Sequence, residues 1–243
     1  MVKTVLITGS SAGIGASIAQ RLAADGYKVF LTGRNREKLV EQSKILSAHG
    51  YLAGDLCDDN FVNEMYNFVK ESFGSVDILI NNAGGYVWSP IEKTPDNSID
   101  KIIKLNLEVP YKLCKLVVPD MKLAKWGRIV NIGSISGVVG EANASLYSAS
   151  KAGLTGLTKA LALELAEFGI TINQVNPGWV KTELIEPLFT DGVLDEAEQM
   201  DMIPQKRWIE PSEVSALVSY LVSEDAKGLT GQSVNLCAGL SLG

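Results

Sequence analysis

One histidine, His49, and three scattered cysteines, Cys57, Cys114 and Cys237, are all the soft metal ligands the 243-residue chain offers. A zinc site or a disulfide framework needs Cys or His clustered at short fixed spacings, so no metal and no disulfide scaffold is expected. Nothing around His49, in "ILSAHG", supplies the partners of a Ser/His/Asp triad. Long apolar runs are missing as well. No stretch approaches the roughly 20 residues that span a bilayer, and "KTVLITG" near the start is too short and wrongly flanked for a cleaved signal. Charge of one sign is nowhere concentrated: 22 basic and 28 acidic residues give a net charge of −6 without a long block of either. That balance argues against nucleic acid or a membrane surface as a partner. The protein is expected to be soluble and intracellular, in the cytoplasm.

Apolar residues make up 46% of the chain and charged residues 21%, ordinary values for a globular protein. A chain of this length buries roughly 70–75% of its unfolded surface and lies at the upper end of the single-domain range, so residues 1–243 are expected to form one domain. Short runs of Val, Ile and Leu alternate with longer amphipathic stretches. The runs at 4–9, 28–33, 51–55, 76–82, 128–133, 171–176 and 233–237 predict strands, and 14–25, 36–48, 59–73, 97–124, 145–168 and 212–223 predict helices. Gly26, Gly50, Gly74 and Gly169 stand where a helix end would use a positive φ. The fold class is therefore α/β: a Rossmann-type doubly wound sheet of about seven parallel strands with helices on both faces. The irregular passage at about 182–210, "TELIEPLFTDGVLDEAEQMDMIPQKRWIE", reads either as a surface excursion or as a lid over a pocket.

Chemistry enters at "TGSSAGIG", Thr8 to Gly15, between the first strand and the first helix. Gly9 permits a tight turn, Gly13 and Gly15 remove side chains that would block close approach, and the helix behind them aims unpaired amides at a phosphate. The second strand ends in "LTGRN", where an acid would accept from a ribose 2′-OH and a guanidinium would suit a 2′-phosphate. Gly33 and Arg34 stand there, with Arg36 near and no acid before Glu37, so NADP is favoured. The plainer reading of Arg34 is a solvated side chain at a strand exit. Three Tyr/Lys pairs share a four-residue spacing: "YNFVK" from Tyr66, "YKLCK" from Tyr111 and "YSASK" from Tyr147. Bulky apolar neighbours crowd the first two. Ala, Ser and Gly surround Tyr147 and leave room for a flat ligand, and Ser134 emerges shortly before it at the end of a strand.

In order and spacing, these segments resemble the short-chain dehydrogenase/reductase family over nearly the whole chain, its 3-oxoacyl carrier-protein reductase branch most closely. The resemblance implies that Gly9, Ser11, Gly13, Ile14 and Gly15 form the cofactor turn. Asp55 and Leu56 in "GDL" would meet the adenine, and Asn82, Ala83 and Gly84 of "NNAG" would line the dinucleotide. Pro177, Gly178, Val180 and Thr182 in "NPGWVKT" would hold the nicotinamide end. It implies a catalytic tetrad of Asn106, Ser134, Tyr147 and Lys151, with Tyr147 and Lys151 also contacting the cofactor. Tyr147 would protonate the carbonyl oxygen as hydride arrives, Ser134 would hydrogen-bond that oxygen, and Asn106 would help hold a water near Lys151. An unperturbed phenol titrates near ~10, so reaching about 7 needs roughly 4 kcal/mol, which Lys151 and the oxidised nicotinamide would supply. A homotetramer paired through the 97–124 and 145–168 helices is implied too.

Some residues carry two readings. Asn82 either lines the cofactor or bridges neighbouring backbones, and Asp55 is an adenine contact or a turn acid. Ala12 stands where NADP-preferring members often have Arg or Lys, so NAD remains open. Trp208 replaces a small residue of many relatives, with packing as its only account. The pocket should be bordered by Tyr86, Val87, Trp88, residues 136–141 and Trp179, with few charges, which suits an apolar ketone or acyl chain. Trp88 and Trp179 also read as core or interface side chains. The alternatives in function are an NAD-linked dehydrogenase of a sugar, polyol or cyclic alcohol, and a non-catalytic dinucleotide-sensing scaffold. Epimerising or dehydrating relatives are usually longer, with an added substrate domain.

Overall fold

Val5 and Ile7 enter one apolar cluster and Leu6, between them, enters another; all three are fully buried. The same alternation separates Val29 and Leu31 from Phe30, and Ile78 and Ile80 from Leu79. Strands that are apolar at every position, not at every second one, need cover on both faces, which helical crossovers of a parallel sheet provide. The computed structural model, which describes residues 2–46, 50–183 and 185–242, has this form. His49 and the expected end of the second helix at 47–48 lie outside the described residues, as does Leu184 within the expected lid.

The strands are β1 (Thr4–Thr8), β2 (Lys28–Gly33), β3 (Gly50–Ala53), β4 (Ile78–Asn81), β5 (Gly127–Ile132), β6 (Ile170–Pro177) and β7 (Ser233–Leu236). They pair in parallel in the order β3-β2-β1-β4-β5-β6-β7. One face is covered by α1 (Gly13–Ala24) and α2 (Arg36–Leu46), and the other by α3 (Asp59–Phe73). Next come α4 (Asp96–Ile103) and α5 (Val109–Ala124), then α6 (Ser136–Val139) and α7 (Ser145–Leu165). Two short helices, α8 (Glu186–Thr190) and α9 (Glu196–Met202), occupy the expected lid, and α10 (Pro211–Val222) returns to the face of α1. Leu113 and Val117 of α5 and Leu165 of α7 join the α3 cluster, while Val214 and Val218 of α10 join the other. The strand order reverses between β1 and β4, so a crevice opens beyond their carboxyl ends.

Several boundaries differ from expectation for identifiable reasons. The helix expected over 97–124 is broken by a π turn at Lys104–Glu108, where Val109 N–H bonds the Lys104 carbonyl. Pro110 follows at once. It has no N–H to give the Asn106 carbonyl four residues back, and its ring would clash there, so the register widens. The last turn expected at 166–168 is a 3₁₀ turn, closed by Gly169 at φ +70°. Gly50 is not a helix terminator: it opens β3 opposite Phe30, where a Cβ would lie 3.0 Å from the ring.

Candidate active site

The strand ends converge on a cleft of about 810 Å³. All the residues expected to hold a dinucleotide border it: the glycine turn with Ser11 and Ile14, Arg34, Asp55 and Leu56, Asn82 to Gly84, Tyr147 and Lys151, and Pro177, Gly178, Val180 and Thr182. Gly9 and Gly13 take φ +65° and +55°, a region that penalises any Cβ. Gly15 acts differently. A Cβ there would sit 2.2 Å from the Gly9 carbonyl oxygen and 2.4 Å from Asn82 Nδ2. Its missing side chain therefore lets α1 start against the turn, rather than clearing space for a ligand. The Asn82 amide donates to the Thr8 and Gly9 carbonyls at 2.9 and 3.0 Å, stitching β4 to the turn, so the bridging reading holds while the residue still faces the cleft. Asp55 likewise acts as a turn acid, accepting from Cys57 N–H at 2.9 Å, and borders the cleft as well. Arg34 is exposed at the mouth, immediately after β2.

Ser134 follows β5, and Tyr147 and Lys151 lie one turn apart on α7, so strand and helix bring the three together in the cleft. Lys151 is only 4% exposed. Its ammonium donates to the Ile132 carbonyl at 2.8 Å and stands 5.8 Å from the centre of the Tyr147 ring. Burial pulls its pKa down from 10.5 to about 8. The phenol moves up, not down: burial pushes Tyr147 to about 12, with Glu141 adding to the rise and the Ser134 hydroxyl pulling the other way. Tyr147 is half-buried, so water in the cleft moderates that push. Burial thus opposes the charged form of both groups, and the acidified phenol expected from the ammonium and an oxidised nicotinamide together would have to overcome it. Asn106 alone of the expected tetrad stays off the cleft wall. It is 1% exposed, donates to the Gly85 carbonyl and to Ser150 Oγ, each at 2.9 Å, and accepts from Gly85 N–H at 2.8 Å, tying the loop after β4 to α7.

The other two Tyr/Lys pairs are structural. Tyr66 donates to Asp120 at 3.1 Å, Lys70 bonds the same carboxylate, Tyr111 is 56% exposed, and neither tyrosine reaches the cleft.

Around the substrate end the walls include Tyr86, Trp88 and Trp179, but not Val87. Glu141, within the expected border of residues 136–141, puts a carboxylate on the wall and accepts from Tyr86 Oη and Ser136 Oγ. Its contact with Tyr86 is not announced by any spacing, since the two are 55 residues apart. Trp179, Phe189 and Trp208 pack edge-on as a triangle, with ring centres 5.8, 5.9 and 5.4 Å apart. This gives Trp208 its account: it closes the triangle that fixes α8 over the strand ends. Gly239, at φ +90°, leaves room for the Pro204 ring, which a Cβ there would meet at 2.9 Å.

Residues 3–192 match the family model for short chain dehydrogenases. The chain belongs to the short-chain dehydrogenase family. It is 40% identical over 249 residues to the granaticin polyketide synthase putative ketoacyl reductase 1 of Streptomyces violaceoruber, covering 97% of this chain and 92% of that one. To a 3-oxoacyl-acyl-carrier-protein reductase of Staphylococcus epidermidis it is 35% identical over 245 residues, covering 99% of both. Among solved structures it superimposes on an actinorhodin polyketide ketoreductase variant crystallised with NADPH at a TM-score of 0.94 and 34% identity, over 99% of this chain and 97% of that one. The seven-stranded parallel sheet is thus that of a short-chain dehydrogenase.

Proposed function

We propose that the protein is an NADP(H)-dependent oxidoreductase that interconverts a ketone and a secondary alcohol, with 3-oxoacyl compounds as its substrate class. The observation that carries this reading is a phenol, Tyr147, with a buried ammonium, Lys151, 5.8 Å from its ring centre, in a cleft that opens from a glycine turn at a helix N-terminus. The cleft fits a dinucleotide. Side chains are absent from Gly9 and Gly13, the first-turn amides of α1 lack helical partners, and Arg34 offers a guanidinium at the strand end suited to a 2′-phosphate. Asp55 and Leu56 border the adenine side of that reading, and Pro177 to Thr182 the nicotinamide side.

The bound cofactor supplies or accepts the hydride. Tyr147 holds the proton that the carbonyl oxygen needs, and burial, which pushes its pKa up, favours the protonated form that a proton donor requires. Lys151, anchored on Ile132, fixes a positive charge near the ring that favours the phenolate left behind. Ser134 positions the reacting oxygen. Asn106 keeps Gly85 and the start of α7 in register, and so sets where Tyr147 points. Residues 182–210 act as the lid, hinged on the Trp179–Phe189–Trp208 triangle.

Residues 1–243 are read as one catalytic domain. Leu123 and Leu163, at 85% and 87% exposed, lie on α5 and α7 and support pairing of those helices between subunits of a homotetramer. Three free thiols suit the reducing cytoplasm. The test is a panel of 3-oxoacyl thioesters, sugars, polyols and cyclic ketones with NADPH and NADH, followed at the nicotinamide absorbance. Preferred turnover of 3-oxoacyl thioesters with NADPH supports the reading. Turnover of polyols with NADH instead, or of nothing, contradicts it.

A further inference from the structure

Of the charged side chains described on the cleft wall, Arg34 and Asp55 follow β2 and β3, far along the strand order from β5. Glu183 is paired there with Lys38 of α2, and Lys101 lies within electrostatic reach of Cys57, close after β3. Lys151 and Glu141 remain for the reacting end, and they meet different partners. The Lys151 ammonium turns to the Ile132 carbonyl at 2.8 Å and to Gly84 on the dinucleotide side, where an added Cβ would lie 3.3 Å from Nζ. Glu141, in the turn between α6 and α7, instead meets Tyr86, whose ring packs edge-on against Tyr147 with centres 4.8 Å apart. Its Oε1 accepts from the Tyr86 hydroxyl at 2.8 Å and its Oε2 from Ser136 Oγ at 2.6 Å. Both partners are neutral donors: burial, with Glu141 beside it, raises the Tyr86 phenol above its ordinary value, and a serine carries no charge. None of the ion pairs among the described residues includes Glu141. A carboxylate has about four acceptor positions, so two hydroxyls neither cancel its charge nor fill it.

We propose that Glu141 is a specificity-determining residue: its charge on the wall near Tyr147 excludes ketones that carry a free carboxylate close to the carbonyl and admits neutral ones, such as 3-oxo thioesters and amides. The inference rests on the reading of the cleft as a ketone reductase site and narrows its substrate class. A site rejects a competitor by facing it with an uncompensated like charge. Two like charges about 6 Å apart at an effective dielectric constant of roughly 20 disfavour each other by about 100-fold in affinity. Glu141 is half-buried, so water lowers that toward ~10-fold.

The test compares reduction of 3-oxobutanamide and 3-oxobutanoate with NADPH saturating, two compounds that differ in charge but hardly in size. The readout is the ratio of kcat/KM, amide over acid, from which a general loss of activity cancels. In the wild type the ratio is expected at about 10 to 100. In Glu141→Gln it falls toward unity, and in Glu141→Asp, which keeps the charge, it stays well above the Glu141→Gln value. Where turnover of the two is too slow to measure, their inhibition constants against a 3-oxoacyl thioester give the same ratio. A wild type that treats amide and acid alike overturns the proposal, as does a ratio that survives in Glu141→Gln. Loss of discrimination in Glu141→Asp as well overturns it too, since hydrogen bonds and not charge would then shape the wall. If Glu141→Gln fails to fold, the Glu141→Ala ratio decides. A wild type that reduces no ketone, 3-oxoacyl thioesters included, defeats the reading of the cleft itself, and the exclusion falls with it.

Discussion

The Lys151 ammonium donates to the carbonyl of Ile132, the last residue of β5, at 2.8 Å. One hydrogen bond thus ties α7, which carries Tyr147 and Lys151, to the strand that delivers Ser134. The cation is positioned by the sheet and its charge is raised in energy by burial, which is why its pKa falls to about 8. A buried ammonium with a single partner is a stability cost kept for the site.

That cost has a pH signature. Lys151 titrates near 10.5 unfolded and about 8 folded. Between those values the unfolded chain binds a proton that the folded chain has released, so this group's contribution to stability rises with pH across the window and is least favourable below it. Replacing the ammonium by a neutral side chain of similar length, Lys151→Met, removes the cost. Thermal unfolding of both proteins should show the variant's Tm gaining most on the wild type near pH 7, with the gap narrowing toward pH 10. A gap that is constant or widens with pH contradicts the burial of a charged Lys151.

Much of this was legible in the sequence, and the exceptions share a cause. The strands of Val, Ile and Leu, the glycine turn and the choice of Tyr147 over Tyr66 and Tyr111 follow from local pattern and neighbouring side-chain size. What could not be read depends on segments distant in the chain. Gly15 is glycine because Gly9 and Asn82 stand against it, and Gly50 because Phe30 does. Glu141 meets Tyr86 across 55 residues, and Asn106 meets Ser150 across 44. The π turn before Pro110 was locally encoded, since a proline in the middle of the expected 97–124 helix removes an amide the ladder needs.

Trp208 closes the aromatic triangle, and its indole N–H donates to Glu196 at 3.0 Å. Trp208→Ala removes two edge-on pairs, worth about 1–3 kcal/mol together. The lid should loosen: KM for the ketone rises several-fold while NADPH affinity changes little. Equal weakening of cofactor and ketone would show that the triangle supports the whole cleft and not the lid.

Arg34 stands exposed at the end of β2 on the cleft mouth. A charge-assisted contact to a phosphate is worth about 1.5–3 kcal/mol, so Arg34→Ala should weaken NADPH by roughly 10- to 100-fold. NADH, lacking the 2′-phosphate, should be affected far less. Dissociation constants from cofactor fluorescence give the answer, and equal losses for both cofactors would remove Arg34 from the discrimination.

The most direct measurement is single-turnover reduction of a ketone substrate by Tyr147→Phe with NADPH saturating. Loss of only the hydroxyl should lower the rate by about 10²–10⁴-fold while the NADPH dissociation constant stays near the wild-type value. A variant that reduces the ketone at the wild-type rate would contradict the assignment of Tyr147 as proton donor.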